Sequence, residues 1–177
     1  RNYLQDAMGM VYIKPAHTRA AILRTLSQQK VDGALPEGVV LATGGELKYI
    51  NQIPHTDHSV WFPITLESYL DETGDTSLLN ESVESSGECF TVLERTTHAM
   101  RWLINNCDHR GLSLIAQGDW CDPLNMVGHK GTGVSGWLTI ATVHALKLWA
   151  NITKVNGYEK IATEMDIAAD KFAAAAQ

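Results

Sequence analysis

The segment Gln117-Gly118-Asp119-Trp120-Cys121-Asp122-Pro123-Leu124-Asn125 sets two carboxylates and an indole among glycine and proline. A carboxylic acid can protonate a leaving glycosidic oxygen, and an indole face can stack on a sugar ring. Glycine and proline keep both on a turn and out of a helix. The same residues also fit an ordinary turn, in which Asp119 or Asp122 bonds its own backbone and Trp120 plugs the core.

Three other clusters carry chemistry-bearing side chains. Arg1-Asn2-x-x-Gln5-Asp6 gathers four hydrogen-bonding groups at a helix entrance, which suits sugar hydroxyls; capping by Asn2 with a solvated Asp6 is the plainer reading. His55-Thr56-Asp57-His58 offers two imidazoles and a carboxylate, as a metal hydrolase would need. Its spacing is not that of H-E-x-x-H, however, and Thr56 or Asp57 serves equally as a helix N-cap. The glycine-rich run from Gly128 to Gly136 feeds a helix and could aim N–H groups at phosphate or a carboxylate, with Lys130 and Thr132 beside them. It is neither a Walker A nor a dinucleotide fingerprint. Cys121 has no paired histidine in its segment, so a nucleophilic thiol is a minor option. His17, His98, His109 and His144 read as surface or core groups, and Glu67 and Glu94 as solvated helix residues.

Helices must position these groups. Apolar residues at helical spacing run from Leu4 to Ile13, from Pro15 to Asp32-Gly33, and from near His58 to Thr73, with Gly74 as the stop. Pro63 is compatible with the third only in its first turn. Val92, Thr96, Ala99 and Leu103 mark a fourth helix. Ser135 to Lys154 is apolar almost all round and should be buried on most sides; Tyr158 to Ala176 makes the last. Leu112 to Ala116 is one short extended piece, and no βαβ alternation is present. The links alternate between minimal, as at Asn156-Gly157, and long, as in Ala34 to Thr56 with Glu37, Glu46, Lys48, Tyr49, Asn51 and Gln52. Such alternation suits an all-α toroid with its chemistry on the long-loop face, whereas a plain bundle has short links throughout.

The chain of 177 residues is enough for one domain, and its formal net charge of -6 without a basic cluster argues against nucleic acid or an anionic membrane as partner. Nothing is long and apolar enough to span a bilayer. Cys89, Cys107 and Cys121 suggest neither a disulfide framework nor a zinc site, and the sequons at Asn80 and Asn151 are short enough to arise by chance, so a cytoplasmic location is expected. A start at Arg1 and an Ala-rich end at Phe172 to Gln177 read as a piece of something larger.

Taken together, Arg1-Asn-x-x-Gln-Asp6, Glu46-Leu-Lys-Tyr-Ile-Asn-Gln52, His55-Thr-Asp-His-Ser-Val-Trp61, Tyr69-Leu-Asp-Glu-Thr-Gly-Asp75 and Gly118-Asp-Trp-Cys-Asp-Pro-Leu-Asn125 resemble the cellobiose/chitobiose phosphorylase family of inverting glycoside phosphorylases. The motifs fall in family order from Arg1 to about Trp149. The resemblance implies an all-α fold, residues 1–177 being about half of an (α/α)6 barrel that forms the catalytic domain of a larger enzyme. Asp122 would be the general acid, Trp120 the donor-sugar wall and Asp119 a support for the turn. Arg1, Asn2, Asp6 and Asp57 would complete the sugar-binding set, and Lys130 and Thr132 would lie toward phosphate or acceptor. No metal or cofactor is implied; inorganic phosphate is the co-substrate, a small carbohydrate the partner, and a homodimer the full-length assembly.

Two positions depart from the family pattern. Asn2 stands where the family carries Asp, losing a charge and one acceptor, and Val134 stands where many members carry Glu. The pattern is most similar to the branch acting on aldonic-acid disaccharides such as cellobionic acid. The implied reaction is reversible phosphorolysis of a β-glucosidic disaccharide to α-glucose 1-phosphate, with Asp122 kept protonated by partial burial beside Trp120. An inverting hydrolase on the same fold and a non-catalytic carbohydrate-binding helical module are the alternatives.

Overall fold

Each expected helix is present in the computed structural model, which describes residues 1–42, 44–45, 55–124 and 126–177. Helix α1 spans Asn2–Met10, α2 Pro15–Leu26, α3 His58–Thr73, α4 Val92–Asn105, α5 Gly136–Val155 and α6 Glu159–Ala175. Pro15 opens α2 from its first turn, where its missing N–H has no intrahelical acceptor to lose. Gly74, at a left-handed φ of 65°, closes α3 by donating to the Leu70 carbonyl, a conformation that a Cβ would disfavour. Thr91 caps α4 in a reciprocal box: its hydroxyl accepts the Glu94 N–H while the Glu94 carboxylate accepts the Thr91 N–H. Glu94, expected to be merely solvated, therefore has a structural task.

Three expectations are corrected. Pro63 lies inside α3, beyond its first turn, so the Ser59 carbonyl loses its usual donor. Burial of Val60, Phe62 and Leu66 around that position outweighs the loss. The chain also has strands among its described residues: β1 (Ser82–Ser85) pairs antiparallel with β2 (Glu88–Thr91), Val83 opposite Phe90. Ser86 and Gly87 both take positive φ at its tip, the requirement of a tight hairpin turn, and the Arg95 guanidinium pins both strands by donating to the Val83 and Glu88 carbonyls at 2.9 and 2.6 Å. Finally, α5 is not buried on most sides, since Trp137 and Ile140 stay 39% and 63% exposed. The extended piece near Leu114 makes only isolated bridges, Cys107 with Ser113 and Leu114 with Val134.

Helix α1 packs on α2 and α3, α3 on α5, and α5 along α6. The core between them holds Ile22, Leu26, Phe62, Leu66, Leu146, Trp149 and Met165, each almost fully buried. Helices α1, α3 and α5 begin at the same end of the molecule, because their N-cap residues Arg1, Asp57 and Ser135 are tied to one turn. The long links 27–57 and 106–135 lead into that end, and the short links 11–14 and 156–158 lie at helix C-termini. Of the long-loop residues singled out from the sequence, Glu46, Lys48, Tyr49, Asn51 and Gln52 lie outside the described residues, as does Asn125.

Candidate active site

The two carboxylates of the 117–125 segment have opposite surroundings. Asp119 is buried, 3% exposed, and both its oxygens are engaged. One accepts the Cys121 N–H at 2.9 Å, closing the turn on itself; the other accepts the Ser135 hydroxyl. Ser135 in turn caps α5 by accepting the Leu138 N–H at 2.9 Å. Asp122 is at the tip of the same turn with its side chain 71% exposed, meeting the Arg1 guanidinium at 2.5 Å. The burial beside Trp120 that would keep its proton in place is not found; Asp122 is instead the anionic half of an exposed ion pair.

Arg1 is the hub of the cluster. Besides Asp122 it donates to the Asp119 carbonyl at 3.2 Å and to the Asp57 carboxylate at 3.3 Å. Asp57 stands at the N-cap position of α3, but its side chain caps nothing. It is fully buried, and the same Oδ2 that faces Arg1 accepts the Trp61 indole N–H at 3.1 Å. A buried carboxylate shared by a guanidinium and an indole fixes both donors in place.

Aromatic and backbone contacts seat the turn. Trp120 is 51% exposed and stacks on Trp137 of α5 with ring centroids 6.0 Å apart and planes 20° apart. Trp137 is tilted against Trp61 at 6.4 Å, so three indoles run from the turn to α3. Trp120 is thus not a core plug, and an exposed indole is free to face a ligand. Thr56 donates its N–H to the Gly118 carbonyl at 3.1 Å. His55, held by Glu37 at 2.8 Å, lies close enough to Gly118 that a Cβ there would come 2.8 Å from its ring.

A cavity of about 290 Å³ opens beside Arg1, lined by Asn2, Tyr3, Glu37, His55 and His58 among others. Burial, before all else, lowers the His58 imidazole to about 3, so the ring is neutral and offers one donor and one acceptor. Both its nitrogens, His55 Nε2, Asp57 Oδ1 and Gln117 Oε1 are buried without a hydrogen-bond partner among the described residues. Unpaired donors and acceptors of this kind match hydroxyl groups. No three His, Cys, Asp or Glu side chains among the described residues are grouped to hold a metal ion.

Of the residues singled out from the sequence, Arg1, Asp57, Trp120 and Asp122 are drawn into one cluster with Asp119. Asn2 lines the cavity. Asp6 is exposed on α1 and shares no hydrogen bond with the cluster among the described residues; Lys130 and Thr132 are exposed on the glycine loop and do not join it either. Ser135, Trp61 and Trp137 were not expected at the site, and Glu37 was singled out only as a residue of the long loop. Ser135 alone had a signal, a serine just before an apolar helical run; the others are brought in by long-range packing.

The whole chain, residues 1–177, matches the family described as the catalytic domain of the glycosyl hydrolase 94 superfamily. It is 58% identical to the cellobionic acid phosphorylase of Neurospora crassa over 177 residues, 99% of this chain and 22% of that protein. It is 32% identical over 149 residues to the 3-O-beta-D-glucopyranosyl-beta-D-glucuronide phosphorylase of Paenibacillus borealis, 83% of this chain and 19% of that protein. To the solabiose phosphorylase of the same organism it is 34% identical over 157 residues, 87% of this chain and 19% of that one. The chain therefore spans about a fifth of the length of these relatives.

Proposed function

Because this chain belongs to the glycosyl hydrolase 94 superfamily, matching its catalytic domain from end to end, we propose that it is part of an inverting glycoside phosphorylase acting on a β-glucosidic disaccharide of the cellobionic acid or cellobiose type. Residues 1–177 form part of an (α/α)6 catalytic barrel, with α1, α3 and α5 as neighbouring helices that share one orientation. The full-length enzyme is a cytoplasmic homodimer that needs phosphate and no cofactor.

The observation that carries the reading is the asymmetry of the turn. Asp119 is buried and doubly bonded, Asp57 is buried under Arg1, and Asp122 is accessible beside an exposed Trp120. An inverting hydrolase needs a second free carboxylate to activate water, whereas phosphate is itself an anionic nucleophile. In the proposed reaction the glucosyl ring stacks on Trp120, and its hydroxyls take up Arg1 and Asn2, with the buried Asp57 holding Arg1 in place. Engaging Arg1 with substrate releases Asp122 from its ion pair. Freed from Arg1, the Asp122 carboxylate takes up a proton from solvent and gives it to the glycosidic oxygen while a phosphate oxygen bonds the anomeric carbon from the opposite face. The C–O bond to the acceptor breaks, giving α-glucose 1-phosphate and the free acceptor. Lys130 and Thr132 lie toward the phosphate or acceptor side.

The test is product analysis of the full-length protein with cellobionic acid or cellobiose. Phosphate should be required, and α-glucose 1-phosphate should form. Asp122→Asn should lower turnover by about 10²–10⁴-fold with sugar binding nearly intact. Cleavage indifferent to phosphate, or an Asp122→Asn enzyme as active as wild type, would end this reading.

A further inference from the structure

The Ser135 side chain has two partners that belong to different parts of the fold. It accepts the Leu138 N–H at the start of α5 and donates to the buried Asp119 carboxylate. The other Asp119 oxygen holds the Cys121 N–H, and the Asp119 carbonyl accepts from Arg1. Ser135 is itself buried and anchored by donating its N–H to the Ser113 carbonyl at 2.9 Å. Its link to Asp119 spans 16 residues, so it joins a helix end to a loop that has no helix of its own. Trp137, two residues further along α5, stacks on Trp120 of the same turn. The clasp and the stack grip adjacent residues, Asp119 and Trp120, just before the tip that carries Asp122.

We propose that Ser135 is a positioning residue for proton transfer, acting through Asp119 to aim Asp122 at the leaving oxygen. The proposal rests on the phosphorylase reading above. The Ser135 hydroxyl touches neither Asp122 nor the cavity, so it reaches the acid through the turn and not by contact with substrate. A misaimed acid harms only those substrates whose leaving group needs the proton, since the anomeric carbon and the phosphate meet as before.

The experiment compares two substrates in the full-length enzyme: the disaccharide, whose leaving alcohol must be protonated, and β-glucosyl fluoride, whose leaving fluoride needs little help. Ser135→Ala should lose about 10²-fold in kcat on the disaccharide and less than about threefold on the fluoride. Ser135→Thr, which keeps the hydroxyl, should recover the disaccharide rate. Asp119→Ala removes the partner of the Ser135 hydroxyl while leaving the α5 cap in place, and should reproduce the selective loss even if Ser135→Ala folds poorly. Equal losses on both substrates, as general loosening of the fold would give, or no loss in either variant, overturn the proposal. A wild-type enzyme without phosphate-dependent turnover on either substrate would sink the phosphorylase reading and this one with it.

Discussion

Gly118→Ala is the smallest change that should disable the site. The new Cβ would lie 2.8 Å from His55 Cδ2, 2.9 Å from His55 Nε2 and 2.9 Å from the Leu124 carbonyl oxygen. Carbon contacts settle at about 3.5–4.0 Å, so one side must open by about 0.7–1 Å. His55 cannot swing freely, being held by Glu37 at 2.8 Å, and the Leu124 contact is with main chain and not with a side chain that could turn away. The remaining way out is to lift the turn, which strains the Thr56 bond to the Gly118 carbonyl. Overpacking of this sort costs about 1–3 kcal/mol. A turn displaced by about 1 Å carries Asp122 with it, and misplacement on that scale lowers turnover by about 10²-fold. Initial rates of sugar phosphate release by the full-length enzyme, with far-UV circular dichroism to verify folding, measure the effect. His55→Ala combined with Gly118→Ala removes two of the three contacts and should recover part of the rate. If Gly118→Ala alone stays within about threefold of wild type, the His55 contact does not seat the turn and the reasoning fails.

Two further outcomes follow from other parts of the molecule. His58 is lowered to about 3 by burial, below its ordinary value of 6.5. Below pH 6.5 the unfolded chain takes up a proton that the folded chain refuses, so this contribution is complete above 6.5 and is lost as pH falls toward 3. The loss amounts to about 1.4 kcal/mol per pH unit. Thermal midpoints between about pH 7.5 and about pH 4.5 should therefore fall more steeply for wild type than for His58→Gln, and parallel slopes would contradict the assignment. Trp149 is fully buried and donates to the Thr97 hydroxyl at 3.2 Å, about 20 Å along α5 from Ser135. Trp149→Phe should cost about 2 kcal/mol in denaturant titrations and leave turnover of the folded enzyme unchanged. A variant of normal stability and impaired turnover would show that the two ends of α5 are coupled.

Helix positions were legible because periodicity, Pro15 and Gly74 act within one or two turns of the chain. The family was legible from short motifs in a fixed order. The hairpin at Ser82–Thr91 had its signal in Ser86-Gly87 and the alternating Val83, but its strands are brief and polar, and periodicity says little over so few residues. The exposed part of α5 was hidden for the opposite reason: a helix apolar all round does not reveal which side its neighbours leave uncovered. The division of labour between Asp119 and Asp122 came from the family resemblance and not from the residues themselves. It depends on Ser135 downstream and Arg1 far upstream, and no local spacing encodes either. Asp57 shows the same limit. Its position before α3 reads as a cap, and only the fold reveals that its carboxylate turns inward to Arg1 and Trp61.

The three bonds of Arg1 join residues 56, 118 and 121 positions apart. Contacts that close such large loops cannot form until the helices between them have docked, because the entropy of closure precedes any reward. The cluster is therefore assembled late, after α3 and α5 have found one another. A chain can hold its helices and most of its core and still have Asp122 unaimed. Hydrogen exchange should find the Cys121 and Thr56 amides opening before those of α5, so that competence for chemistry melts ahead of the fold that carries it.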